Sequence, residues 1–160
     1  MSAIDHYLDA VIRQGEAEAR QDGSAAIEAH HLLLGLAAQQ DSAPSTVLAA
    51  AGLDRAAIRA ALDREFEHSL STVGVSPAAF VLPSPTPDPD RRIGLGASAR
   101  LALERGFFHA PRKRDLRPAH LLLGILEAEL GTVPRALTLA GVNREDLAER
   151  AKEAASTAGW

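Results

Sequence analysis

Apolar residues recur at Ile4, Leu8, Val11 and Ile12, the i, i+4, i+7, i+8 spacing of one helical stripe. This predicts a first helix running to about Asp22, with Gly23 as its stop. The next apolar run, Leu32 to Ala38, is nearly continuous, so its helix is expected to be the most buried of its set. Asp41 to Pro44 reads as a turn, and Pro44 suits the first turn of a short third helix carrying Val47, Leu48 and Ala51 and ending at Gly52. Asp54 then offers an N-cap, with Leu53 before it and Ile58 after it placed as a hydrophobic staple for a fourth helix.

This pattern is written twice. His31-Leu32-Leu33-Leu34-Gly35-Leu36 returns as His120-Leu121-Leu122-Leu123-Gly124-Ile125, and Gly52-Leu53-Asp54 returns as Gly141-Val142-Asn143. In both copies the later glycine stands 21 positions after the histidine, so the block is an in-register internal repeat. Leu95, Ala99, Ala102, Leu103, Gly106 and Ala110 answer Ile4, Leu8, Val11, Ile12, Gly15 and Ala19 at a separation of 91. The motif block is offset by 89, so two residues are lost between Ala110 and His120. Helices over about 118–130, 133–140 and 143–155, the last capped by Asn143 with Val142 and Leu147 as its staple, complete a second set of four.

Residues 71–94 break the pattern. Pro83, Pro85, Pro87 and Pro89 alternate with Ser84, Thr86, Asp88 and Asp90, a run that cannot hold a helix and reads as an extended linker. Within it Phe80, Val81 and Leu82 are too apolar for a freely solvated tether; they pack back onto one repeat or serve as a hook for a partner. The chain is thus expected to be one all-α domain over 1–160, with repeats at about 4–70 and 95–156.

Composition agrees with packed helices: 46% of residues are hydrophobic, only 4% aromatic. The formal charge of −4 gives no general attraction to nucleic acid or anionic membranes. No cysteine is present, which removes disulfides, thiolate metal sites and a cysteine nucleophile. No stretch has the length and apolarity of a membrane span, and Met1 to His6 does not lead from basic residues into an apolar run, so a cytoplasmic protein is expected.

The familiar catalytic motifs do not occur in the sequence. Gly94 and Gly96 do not complete a phosphate loop, no Walker lysine motif occurs, and no serine sits in Gly-x-Ser-x-Gly. Adjacent His30 and His31 point roughly 100° apart on a helix and do not make a metal motif. No catalytic residue, cofactor or metal is therefore assigned. His31 and His120 open the buried helix of each repeat, where a ring either caps backbone groups while packing its flat face or contacts a ligand. The segment Arg112-Lys113-Arg114-Asp115-Leu116-Arg117 is the one concentration of positive charge, either a solvated basic loop or a docking point for an acidic group.

Two four-helix units, each with His-x-Leu-Leu-Gly in its second helix and a later Gly-Leu-Asp or Gly-Val-Asn, resemble the N-terminal domain of Clp ATPases, a double Clp repeat of the ClpC type. The resemblance covers about residues 4–62 and 95–152 and implies a pseudo-twofold helical domain that binds proteins. In that family the domain precedes the AAA+ rings and receives substrates and adaptors. With the chain ending at Trp160, a stand-alone copy is expected to act as an adaptor, a regulator or a decoy that sequesters ligands, cyclic-peptide antibiotics among them. Expected partners are Clp ATPase or protease components, their adaptors or substrates, or cyclic peptides, with no nucleic acid and no membrane. A small-molecule-binding regulator or enzyme on the same scaffold is the alternative.

The departures from the family fall at the motif. ClpC-type domains carry Gly-Thr-Glu before the histidine, and the two glutamates help to hold phosphoarginine; here the triplets are Glu28-Ala29-His30 and Arg117-Pro118-Ala119. A guanidinium needs an anionic acceptor, so phosphoarginine recognition by that mechanism is not expected. The family's phenylalanine at the start of each repeat is replaced by Ile4 and Leu95, which reshapes an apolar groove. Candidate binding residues are accordingly Ile4, His30, Phe80, Leu95 and Arg117, with His31, Gly35, His120 and Gly124 as the structural motif.

Overall fold

The computed structural model describes residues 1–75 and 92–157. Helices α1 (Ala3–Gln21), α2 (Ala29–Ala38), α3 (Ala43–Ala50) and α4 (Arg55–Thr72) form the first set, and α5 (Ala97–Phe108), α6 (Pro118–Leu126), α7 (Thr132–Leu139) and α8 (Arg144–Ser156) the second. Most of the 71–94 linker, Phe80 included, lies outside the described residues.

The motif leucines explain the architecture. Leu32, Leu33, Leu34 and Leu36 are buried, as are Leu121, Leu122, Leu123, Ile125 and Leu126, so α2 and α6 are covered on every side and form the axis of the core. Each lies against the first helix of its own set, α1 on α2 and α5 on α6. The outer helices cross over: α4 packs on α7 and α8 on α3. The fourth helix of each set therefore covers the third helix of the other, a reciprocal exchange that makes one pseudo-twofold core from two copies.

Glycine permits the closest of these approaches. A Cβ built on Gly35 would lie 2.6 Å from the Val11 carbonyl oxygen, and one on Gly124 would lie 2.2 Å from the Ala102 carbonyl oxygen and 2.5 Å from the Gly106 nitrogen. The first and second helices of each set meet backbone to backbone at these points. Caps then fix the entry of the outer helices: the Asp54 side chain accepts from the Ala57 N–H at 2.7 Å and the Asn143 side chain from the Asp146 N–H at 3.1 Å. Leu53, Ile58 and Leu147 are buried beside these caps as their staples.

Two expectations change. The extension of α6 to residue 130 is not observed; it stops at Leu126, as α2 stops at Ala38, because the chain must reverse to lay α7 on the core. Leu130 prolongs the apolar pattern in sequence, yet it has no core to enter and is 90% exposed next to Gly131, whose φ is 113°. Leu95 does not open α5 as Ile4 belongs to α1; it pairs with Ile27 in an isolated parallel bridge. The Ile27 N–H donates to the Gly94 carbonyl at 2.8 Å and the Gly96 N–H to the Ile27 carbonyl at 2.8 Å, so both backbones are held extended and α5 starts only at Ala97.

Replacing Gly124 with alanine should cost about 2 kcal/mol despite the gain of roughly 1 kcal/mol in helix propensity, because the methyl group is driven into backbone atoms that cannot swing away. Urea denaturation of Gly124→Ala measures this, and an unchanged midpoint would contradict the packing described.

Candidate functional site

The motif histidines are held by their own helices. The His31 Nδ1 accepts the Glu28 N–H at 2.9 Å, and the His120 Nδ1 accepts the Arg117 N–H at 2.9 Å, so each ring closes the first turn that it belongs to. With Nδ1 accepting, neutral His31 carries its proton on Nε2, which donates to Asp22 Oδ2 at 3.0 Å. Asp22 also accepts from Arg59 at 2.8 Å, and Arg59 shares buried Glu18 with Arg55. Glu18 is 1% exposed, and burial alone would raise its pKa; hydrogen bonds from Arg59, Arg55 and Gln14 outweigh that and hold it below the usual carboxylate range. Asp22 is lowered in the same way, with burial opposed by His31 and Arg59. This network fastens the C-terminal half of α1 to α2 and α4.

Asp22, His30 and His31 bring ligand atoms within 4.8 Å of one another, the grouping among the described residues nearest to a metal site. Their hydrogen bonds assign them differently. A metal at His31 Nε2 would need the other tautomer, which would set Nδ1–H against the Glu28 N–H, and Arg59 already places a cation on Asp22. The donor set therefore suits a proton and a guanidinium rather than a divalent ion.

Away from this cluster, the surface of the described residues carries two grooves that combine apolar walls with charged edges. The larger, about 810 Å³, runs between the N-terminus of α2, one face of α5 and the α6–α7 turn. Leu101, Ala102, Ile125 and Val133 give it an apolar lining, with His30, Arg105 and Arg135 adding polar groups. Leu101 and Leu130 are exposed there. Arg135 is tied to Glu65 of α4 at 2.9 Å, a bond between the two sets of helices. The second groove, about 350 Å³, is lined by Ile4, Leu8, Phe107, Pro111 and Leu116, and it adjoins a cavity of about 460 Å³ bounded by Ser2, Arg114 and Arg117, with Ile4, Lys113 and Leu116 common to both.

The sequence-derived candidates are thus divided. His30 lines the first groove; Ile4 and Arg117 border the second region; Leu95 is held in the bridge to Ile27; Phe80 lies outside the described residues. Gly35 and Gly124 sit at helix crossings. Sequence reasoning missed Leu101, Arg105, Leu130 and Arg135 in the first groove and the Glu18–Asp22–Arg55–Arg59 network. A signal for the network existed: Glu18 with Asp22 and Arg55 with Arg59 are both i, i+4 pairs, so each presents a charged edge on one helix.

His30 gives the cluster a pH dependence. Burial depresses its pKa from 6.5 to about 4, although Asp22 and Glu28 oppose the shift. The unfolded chain binds this proton as pH falls through 6.5 while the folded chain resists until about pH 4, so stability contributed above that window is lost on acidification through it. Thermal melts between pH 7 and pH 4 should show a smaller decline for His30→Gln than for the parent chain; parallel declines would contradict this assignment.

Solved structures share the fold. The N-terminal domain of the caseinolytic protease associated chaperone ClpD from Arabidopsis thaliana superposes with a TM-score of 0.61 at 18% identity, covering 92% of this chain and 90% of that one. A chain from a structural study of a malarial protein secretion system gives 0.60 at 17% identity, with the same coverages of 92% and 90%. No curated protein sequence matches. Among the described residues no helix is long and apolar enough to cross a membrane. The family model of the Clp repeat (R) N-terminal domain matches residues 4–91, more than half of the chain, and with the second histidine motif folded on the same plan the protein belongs to that family.

Proposed function

We propose that this protein is a non-catalytic module that binds protein segments within Clp-dependent proteolysis, as an adaptor, a regulator or a decoy for ligands of Clp ATPases, cyclic peptides included. The observation that carries the proposal is the groove between the two sets of helices, about 810 Å³ in volume, with Leu101 and Leu130 exposed along it. Leu130 at 90% exposure contributes nothing to the core, and covering such side chains is favourable at about 25 cal/mol per Å². The polar groups fit recognition better than turnover: Glu28 accepts from Ser98, Glu127 pairs with His109, and Arg135 pairs with Glu65, which leaves the groove with fixed hydrogen-bonding edges and an apolar centre. The commitment of His31 and His120 to capping their own helices supports the same reading.

An array of diverse peptides probed with the purified protein should yield specific binders in the micromolar range. Leu130→Glu should weaken them about tenfold without lowering the melting temperature, because Leu130 is outside the core. Absence of binders, or indifference to Leu130→Glu, would contradict the proposal.

A further inference from the structure

The basic loop has a place in the fold that the larger groove does not use. Its four cations, Arg112, Lys113, Arg114 and Arg117, gather beside the N-terminus of α1 on a chain whose net charge is −4. Two of them are neutralised. Arg112 binds Asp115 at 2.8 Å, and Lys113 reaches Asp5 of α1 at 2.9 Å, which holds the loop against the first helix and keeps the Asp5 carboxyl well below its usual range. The other two are not. Among the described residues the Arg114 guanidinium has no carboxylate partner, and that of Arg117 donates only to the carbonyl oxygens of Arg114 and Leu116, at 3.0 and 3.4 Å. A carbonyl positions a guanidinium without neutralising it, so Arg117 is oriented and still charged.

Next to this charge is an apolar wall. Ile4 and Leu116 line both the cavity that Arg114 and Arg117 border and the groove floored by Leu8 and Phe107. Phe107 is 41% exposed there, although its ring belongs to a helix with a buried opposite face. The arrangement therefore offers one slot for a large apolar side chain and, across a shared wall, two unneutralised guanidinium groups.

We infer that the Ile4–Leu116 groove docks an acidic–apolar segment of a partner protein, an Asp or Glu side chain meeting Arg114 and Arg117 while a neighbouring apolar side chain fills the slot against Leu8 and Phe107. Charge complementarity selects this occupant. A basic or phosphate-free neutral segment would leave the two guanidinium groups partly desolvated and unpaired, whereas a carboxylate meets their donors in bidentate geometry. The inference rests on the protein-binding reading proposed above and adds the chemistry of a second docking point, distinct from the groove at Leu130.

The test uses a fluorescein-labelled peptide with blocked ends in which glutamates flank leucine and phenylalanine, alongside the same peptide with glutamine at each glutamate. Anisotropy should show the acidic peptide binding at least about tenfold more tightly than its neutral counterpart, with affinity falling as salt rises. The double variant Arg114→Glu, Arg117→Ala should abolish that preference, and Phe107→Ala should weaken the acidic peptide, while Leu130→Glu leaves it unchanged; circular dichroism verifies that each variant is folded. Equal binding of the two peptides, or an unaltered preference in the double variant, would overturn the inference. Salt-sensitive self-association in sedimentation velocity, lost in the double variant, would assign the groove to a second copy and overturn it as well. If peptides bind through Leu130 but show no acidic preference, only this inference fails; if no peptide binds at either groove, the proposed function fails with it.

Discussion

Contact between helix backbones at two glycines is the constraint on which the rest of the structure depends. At Gly35 the carbonyl of Val11, and at Gly124 the carbonyl of Ala102, occupy space that any side chain would need. Helices that approach this closely bring the leucines on either side of the glycine into contact with every neighbouring element, which is why α2 and α6 tolerate an apolar surface all round. The polar residues of the motif follow from the same closeness. His31 is fully buried at the end of such a helix, and it survives there because both ring nitrogens are satisfied, one by the Glu28 N–H and one by Asp22.

Duplication then does something that a single repeat could not. One set of four helices would leave its third and fourth helices with uncovered apolar faces; two sets cover each other, α4 over α7 and α8 over α3. Glu65 and Arg135 add a polar tie across the first of these contacts, with burial of Glu65 offset by Ser69 and Arg135 so that its pKa stays low. The grooves arise where the two sets meet imperfectly. The second set has a shorter first helix and a basic loop where the first set has Gly23 and the residues that follow it, and so the two halves present different grooves from one plan.

Much of the fold was legible because it rests on local rules. The stripe of Ile4, Leu8 and Val11, the caps Asp54 and Asn143, and the doubled histidine motif each report on their own helix, and each is found where the pattern puts it. The candidate site was less legible, because grooves are made by residues distant in sequence. Leu130 looked like the last turn of α6 and is instead a solvent-facing turn residue, and Leu95 matched Ile4 in the alignment of repeats while its backbone pairs with Ile27. Arg117 was visible as a substitution in the motif; that Ile4 stands beside it could be known only from the folded chain.

His31 is the residue at which the structural motif and the surface that it supports can be told apart. The most direct measurement is the peptide affinity of folded His31→Gln, taken with its melting temperature. The account predicts a substantially lower melting temperature, since the buried bonds to Glu28 and Asp22 are lost, with affinity at either groove unchanged while the protein remains folded. Loss of affinity at an unaltered melting temperature would show the histidine to be part of the binding surface and would contradict it.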